Sequence, residues 1–213
     1  MNPKFRLVFF DVDSTLVTIE GVDVLGEGNP EVARLTEAAM NGSMALDQVY
    51  ARRLEMIRPA RSAVAALGKR YVASLVPGAA ETVDALQSAG SVVHLVTAGI
   101  EQALTPLCNV LGIGDRFLHA VRLRFAEDGT YQDFDRTSPL TRPGGKEVVV
   151  RDVRARTKGN AAFVGDGVSD LEAKPAVDLF IGFGGVHTRA RVRENADLFI
   201  PGPRLDAVMP HLI

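Results

Sequence analysis

One pattern, repeated three times, constrains this chain most: a near-continuous apolar run that stops at small or acidic polar residues. Phe5-Arg6-Leu7-Val8-Phe9-Phe10 stops at Asp11-Val12-Asp13-Ser14-Thr15. Ser91-Val92-Val93-His94-Leu95-Val96 stops at Thr97-Ala98-Gly99, and Ala161-Ala162-Phe163-Val164 stops at Gly165-Asp166-Gly167. Apolar runs without alternation are what strands buried on both faces of a parallel sheet require. Leu179-Phe180-Ile181 and Asp197-Leu198-Phe199-Ile200 predict further strands. Helical patterns lie between them. Pro77-Gly78 opens one that Gly90 ends, and Ile100 to Leu111 is closed by Gly112. Gly144-Gly145-Lys146 opens another through about Arg156, and Val168 to about Lys174 is stopped by Pro175. Val121 to Phe125 and Tyr131, around Asp128-Gly129, predict a hairpin. Ligands in open α/β sheets bind beyond the carboxyl ends of the strands, so the three endings should converge.

Residues 18–75 break this alternation. They are rich in Ala, Glu, Arg, Leu and Met, with Leu35, Ala38, Ala39, Val49, Leu54, Met56 and Ile57 at helical spacing. The expected class is therefore α/β: a Rossmann-like parallel sheet core flanked by helices, with a small helical bundle inserted after the first strand. The core would comprise residues 1–17 and 76–213, and the insert residues 18–75. The insert carries seven Lys/Arg and seven Asp/Glu, which argues against a nucleic-acid module. The whole chain, with net charge −2, has no field to gather nucleic acid or anionic lipid. With 46% hydrophobic and 23% charged residues in 213, it can bury a core. Its single cysteine, Cys108, excludes an internal disulfide. No run approaches a membrane span, so the expected protein is soluble and cytoplasmic. Arg151, Arg154, Arg156 and Lys158, and again Arg189, Arg191 and Arg193, are expected to be solvated helix faces. The four histidines are scattered and expected to be structural.

Asp11 and Asp13 leave one strand, and Asp166 and Asp170 leave another. An aspartate pair can merely cap the next segment. Four carboxylates at one sheet edge, however, repel each other unless a cation neutralises them. Hard oxygen donors suit Mg²⁺, which keeps waters for substrate phosphate. Thr97, with the N–H groups of Ala98 and Gly99 at an expected helix start, forms a phosphate cradle. Lys146 behind two glycines supplies a point positive charge. A carboxylate nucleophile, Mg²⁺, a hydroxyl and a lysine together describe phosphoryl transfer through an aspartyl-phosphate. There is no Walker A loop and no Gly-x-Ser-x-Gly elbow.

At these residues the chain resembles a known family. Asp11-Val12-Asp13-Ser14-Thr15, Thr97, Lys146 and Gly165-Asp166-Gly167-Val168-Ser169-Asp170 match, in order, the four motifs of the haloacid dehalogenase superfamily of phosphatases. Over nearly its full length it is similar to the branch that hydrolyses phosphoserine. The resemblance implies Asp11 as nucleophile and Asp13 as general acid and base. It implies Mg²⁺ held by Asp11, Asp13 and Asp166, with Asp170 in or near the ligand set. Thr97 and Lys146 would hold the non-bridging phosphate oxygens, and Ala98, Gly99 and Ser169 would also bind substrate. The insert would be a helical cap in which Met40 lines the pocket, Arg53 pairs with the substrate carboxylate and Glu20 with its ammonium. For Glu20 and Arg53 the competing reading is a surface salt bridge within the bundle. The implied partner is a small phosphomonoester, phosphoserine first, for a monomer or homodimer with no nucleic acid or membrane. The alternatives are another small phosphomonoester, or phosphoryl transfer to another alcohol. A non-catalytic phospho-ligand regulator is a third reading, against which the second carboxylate of the first motif stands. The usual Ser-Gly-Gly of the family is here Thr97-Ala98-Gly99, and Asn41, Val121 and Ser169 are further departures.

Overall fold

The computed structural model describes residues 3–213. Eight strands form in chain order: β1 (Leu7–Phe10), β2 (Val92–Ile100), β3 (Leu118–Val121), β4 (Leu123–Phe125), β5 (Tyr131–Phe134), β6 (Ala161–Gly165), β7 (Leu179–Phe183) and β8 (Leu198–Ile200). Six of them make one parallel sheet in the order β3-β2-β1-β6-β7-β8. Every residue of β1 is 0% exposed, which is why that run shows no polar alternation. Strand order reverses on either side of β1, so the crevice that binds ligands in such sheets opens above β1, β2 and β6.

Ten helices accompany the strands: α1 (Gly21–Leu25), α2 (Pro30–Met40), α3 (Leu46–Ile57), α4 (Arg61–Ala73), α5 (Ala79–Ser88), α6 (Glu101–Val110), α7 (Gly145–Arg156), α8 (Val168–Leu171), α9 (Ala190–Asn195) and α10 (Met209–Leu212). The first four lie between β1 and α5. Asn29 accepts the Glu31 N–H at 3.1 Å and Pro30 fixes the first turn, so α2 starts where capping chemistry dictates. Its buried face is Val32, Leu35, Thr36 and Ala38. The chain leaves for these helices and returns through paired backbone. Val17 bridges Leu75, the Thr18 N–H donates to the Ser74 carbonyl at 2.8 Å, and the Val76 N–H donates to the Leu16 carbonyl at 2.9 Å. The antiparallel β4–β5 hairpin braces the α3–α4 junction: the Arg61 N–H donates to the Gly129 carbonyl at 2.9 Å and the Arg58 guanidinium to the Tyr131 carbonyl at 3.2 Å.

Two expected boundaries move. The β2 strand does not stop at Thr97 but continues to Ile100, with α6 beginning at Glu101. Pairing with β3 passes from Val96↔His119 to Ile100↔Val121, so the extra residues of β2 bulge out of the ladder. The helix expected over Val168 to Lys174 ends at Leu171, and Pro175 sits inside a separate 3₁₀ turn, Lys174–Ala176.

An aromatic row crosses the sheet, in register from Phe180 to His94 and diagonal from His94 to His119. Phe180 stacks on Phe163 at 5.9 Å, Phe163 on Phe9 at 6.3 Å, Phe9 on His94 at 5.2 Å, and His94 on His119 at 5.3 Å between ring centroids. The two histidines are thus neighbours, with His94 Nδ1 3.1 Å from His119 Nε2. A hydrogen bond between two imidazoles requires at least one neutral ring. Burial, followed by the charge of His119, lowers the His94 pKa from 6.5 to about 4. A depressed histidine contributes stability that is complete above its unfolded pKa and is lost as pH falls toward its folded one. Urea denaturation should therefore show stability falling between pH 6.5 and about 4, and His94→Phe, which extends the row, should flatten that part of the profile. A profile unaltered by the substitution would remove His94 from the acid response.

Candidate active site

The site is assembled from strand ends. Asp11 follows β1 directly and is 2% exposed. Lys146, in the first turn of α7, donates to Asp11 Oδ1 at 2.6 Å and also to Asp170 Oδ1. Asp170 Oδ2 accepts the Gly167 N–H at 2.8 Å, which fixes the turn after β6. Gly165 allows this approach, since a Cβ there would lie 2.4 Å from Asp170 Cγ. Thr15 Oγ1 donates to Asp166 Oδ1 at 3.2 Å. Carboxylate oxygens of Asp11, Asp166 and Asp170, all buried, lie within 4.8 Å of one another.

The β2 bulge presents Thr97, Ala98 and Gly99 to the same place. The Gly99 N–H donates to Thr97 Oγ1 at 3.0 Å, so the cradle is a hydroxyl-closed turn rather than the helix start expected from the sequence. From α3, the Tyr50 hydroxyl donates to the Ala98 carbonyl at 2.9 Å. Asp11, Asp13, Glu20, Met40, Arg53, Thr97, Ala98, Gly99, Lys146 and Ser169 all line one cavity, with Val22, Ala39 and Leu46 adding apolar wall. Asp166 and Asp170 stand behind it, against Lys146 and Arg189.

Burial sets the electrostatics. It pushes Asp11 up to about 7, helped by Asp170, and Asp13 up to about 7, helped by Asp11. Glu20 rises to about 8 through burial and then Asp13, although Ser14 Oγ donates to Glu20 Oε1 at 2.5 Å. Asp166 is likewise raised, by burial and Asp170. Burial opposes the charge of Lys146, but Asp11 and Asp170 outweigh it and the ammonium is held protonated. Among the described residues, Asp11, Asp13, Glu20, Asp166 and Asp170 thus face only Lys146, Arg53 and Arg189 as cations. The deficit is one that a divalent cation on hard oxygen donors would relieve.

Arg53 is 6% exposed and makes no ion pair within 4.0 Å among the described residues. The surface salt bridge therefore falls as an account of it. Its Nη1 donates to Thr36 Oγ1 at 2.9 Å, and its Nε is buried without a partner. Asp13 Oδ1 is also buried and unpartnered. A buried charged group left unpaired is costly, and these two border the same cavity, which is where a ligand would satisfy both.

One expectation is overturned. Arg189 is not on a solvated helix face but 7% exposed: its Nε donates to Asp166 Oδ2 and its Nη1 to both oxygens of Glu37 on α2, all at 3.1 Å. It precedes the first residue of α9, where the run of alternating arginines carries no sign of burial. Arg151 and Arg156 are exposed and paired within α7, as expected. Breaking a buried pair by removing one partner costs about 3–5 kcal/mol. Arg189→Met should lose stability on that scale in urea denaturation of the EDTA-treated protein. Glu37→Gln, at a side chain that is 61% exposed, should cost less than about 1 kcal/mol. Equal small losses would return Arg189 to the surface class.

A family model described as haloacid dehalogenase-like hydrolase matches residues 8–173. The chloroplastic phosphoserine phosphatase of Arabidopsis thaliana is 38% identical over 199 residues, spanning 91% of this chain and 68% of that protein. The phosphoserine phosphatase of Bos taurus is 35% identical over 197 residues, spanning 91% and 88%. A solved phospho-aspartyl intermediate analogue of phosphoserine phosphatase matches with TM-score 0.85 at 25% identity, covering 99% of this chain and 100% of that one. A substrate-bound phosphoserine phosphatase complex shares the fold, with TM-score 0.85 at 24% identity over 98% of each chain. A chain with these matched motifs and these relatives belongs to the haloacid dehalogenase-like hydrolases.

Proposed function

We propose that this chain is a Mg²⁺-dependent phosphatase that hydrolyses O-phospho-L-serine to serine and phosphate, the closing step of serine synthesis. It acts in the cytoplasm, as a monomer or homodimer. The observation that carries the reading is the pair of unpartnered buried groups, Asp13 Oδ1 and Arg53 Nε, bordering one cavity beside Asp11. Asp11 attacks phosphorus and becomes the aspartyl-phosphate. Asp13, pushed up to about 7 by burial and by Asp11, carries the proton that the departing serine oxygen needs, and then takes one from the hydrolytic water. The ammonium of Lys146 uses two N–H groups on Asp11 and Asp170; its third, with Thr97, reaches the non-bridging phosphoryl oxygens. Arg53 grips the substrate carboxylate and Glu20 receives the ammonium. Residues 18–75 are the cap over this site and exclude bulk water from it.

Asp11, the Asp13 carbonyl and Asp166 would hold Mg²⁺, with Asp170 beside them; the ion supplies charge neutralisation that lets a phosphate dianion enter. All are hard oxygen donors, which is what this cation takes. Phosphate release from phosphoserine should accordingly vanish in EDTA and return with Mg²⁺. Full turnover in metal-free buffer would sink the reading.

Arg53 separates phosphoserine from a generic phosphomonoester. Hydrogen bonds to charged groups are worth about 1.5–3 kcal/mol, so Arg53→Ala should cost roughly 10- to 150-fold in kcat/KM on phosphoserine. The loss should be much smaller on phosphoethanolamine, which has the amine but no carboxylate. Equal losses at an unchanged melting temperature would make Arg53 a support of the cap and leave the substrate assignment without its anchor.

A further inference from the structure

The segment after β1 is folded back over one carbonyl. Val12 O accepts the N–H groups of Thr15 at 3.2 Å, Leu16 at 2.9 Å and Val17 at 3.1 Å. Inside this turn Ser14 has φ +56°, a region that residues with a Cβ avoid, and it is 0% exposed. Glycine is the residue of least strain at such a position, yet a hydroxyl stands there. Two hydrogen bonds account for it. The Ser14 N–H donates to the Ile19 carbonyl at 3.3 Å, and Ser14 Oγ donates to Glu20 Oε1 at 2.5 Å.

Glu20 occupies the capping position of α1, but its side chain makes no capping bond. Among the described residues, Ser14 is the hydrogen-bond donor to its carboxylate. Glu20 lines the same cavity as Asp13 and Arg53. With Oε1 engaged by Ser14, Oε2 is left for a ligand. A glutamate has three side-chain torsions, and a free one must be ordered each time a ligand binds. A donor that holds it beforehand removes that cost.

We propose that Ser14 is a specificity-determining positioning residue: its hydroxyl aims the Glu20 carboxylate at a substrate ammonium group, and so favours phosphoesters that carry an amine. This rests on the reading of Glu20 given above. The positive φ at Ser14 goes with both contacts, the N–H on the Ile19 carbonyl and the hydroxyl on Glu20.

The test compares O-phospho-L-serine with 3-phosphooxypropanoate, the same ester without its amine, by phosphate release, with calorimetry to verify folding. Ser14→Gly removes the hydroxyl and relieves the backbone; Ser14→Ala removes the hydroxyl and keeps the strain. Both variants should lose about tenfold in preference for phosphoserine, carried by KM rather than kcat. The loss on the amine-free ester should be at least about five times smaller. Ser14→Gly matching the wild type while Ser14→Ala fails would reduce Ser14 to a backbone role and overturn the proposal. Equal losses on both esters would overturn it too. If neither variant folds, Ser14→Cys, a weak donor of similar shape, is read in the same assay and must show the same shift. A wild type with no preference for phosphoserine would defeat the reading of Glu20, and Ser14 with it. A wild-type preference that survives Ser14→Gly would defeat the role of Ser14 alone.

Discussion

The ammonium of Lys146, set between Asp11 and Asp170, is the contact on which the rest of the site depends. It lies in the first turn of α7, where the helix dipole disfavours a cation. Two buried carboxylates offset that penalty, and the exchange ties the segments after β1 and β6 to one atom. The backbone before it is shaped to the same end. A Cβ at Gly145 would lie 1.9 Å from the Pro139 carbonyl, and Gly144 has φ +71°. Gly145 lets the helix begin this close to the Pro139 carbonyl, and Gly144 takes the left-handed backbone that leads into it.

Topology then determines what can meet Lys146. Since strand order reverses at β1, the ends of β1, β2 and β6 open into a common crevice. Each end solves a different local problem. Asp11 continues straight from β1, the residues after Val96 bulge out of the β2–β3 ladder, and the turn after β6 is closed by Asp170 on the Gly167 N–H. Asp11, the hydroxyl-bearing turn at Thr97 and the Asp166–Asp170 carboxylate pair thus come from three unlike pieces of backbone.

Much of this was legible in the amino-acid sequence, for a physical reason. Burial on both faces writes strands as uninterrupted apolar runs, so Leu7–Phe10 and Ala161–Gly165 announce themselves. Motif residues at their ends stand out against that background. What could not be read depends on distant partners. The bulge at Thr97 is decided by register against β3. Arg189 is buried by Asp166, 23 residues away, and by Glu37, 152 residues away. Without those partners it is one of three alternating arginines at the start of a short helix. His94 and His119 meet because their strands are adjacent, a relation that no local spacing encodes.

The two parts of the chain are also coupled through the acidity of the site. The largest influence on both Asp13 and Glu20 is loss of water, and much of the wall that excludes it comes from residues 18–75: Val22, Ala39, Met40 and Leu46. The same segment reaches the strand ends through Tyr50 on the Ala98 carbonyl and Glu37 on Arg189. If those helices lift, water returns and Asp13 relaxes toward the ordinary carboxylate range, where it is ionised at neutral pH and has no proton to give. Under the function proposed above, Asp13 keeps a proton to donate only while these helices exclude water, because the residues that wall the cavity also raise its pKa.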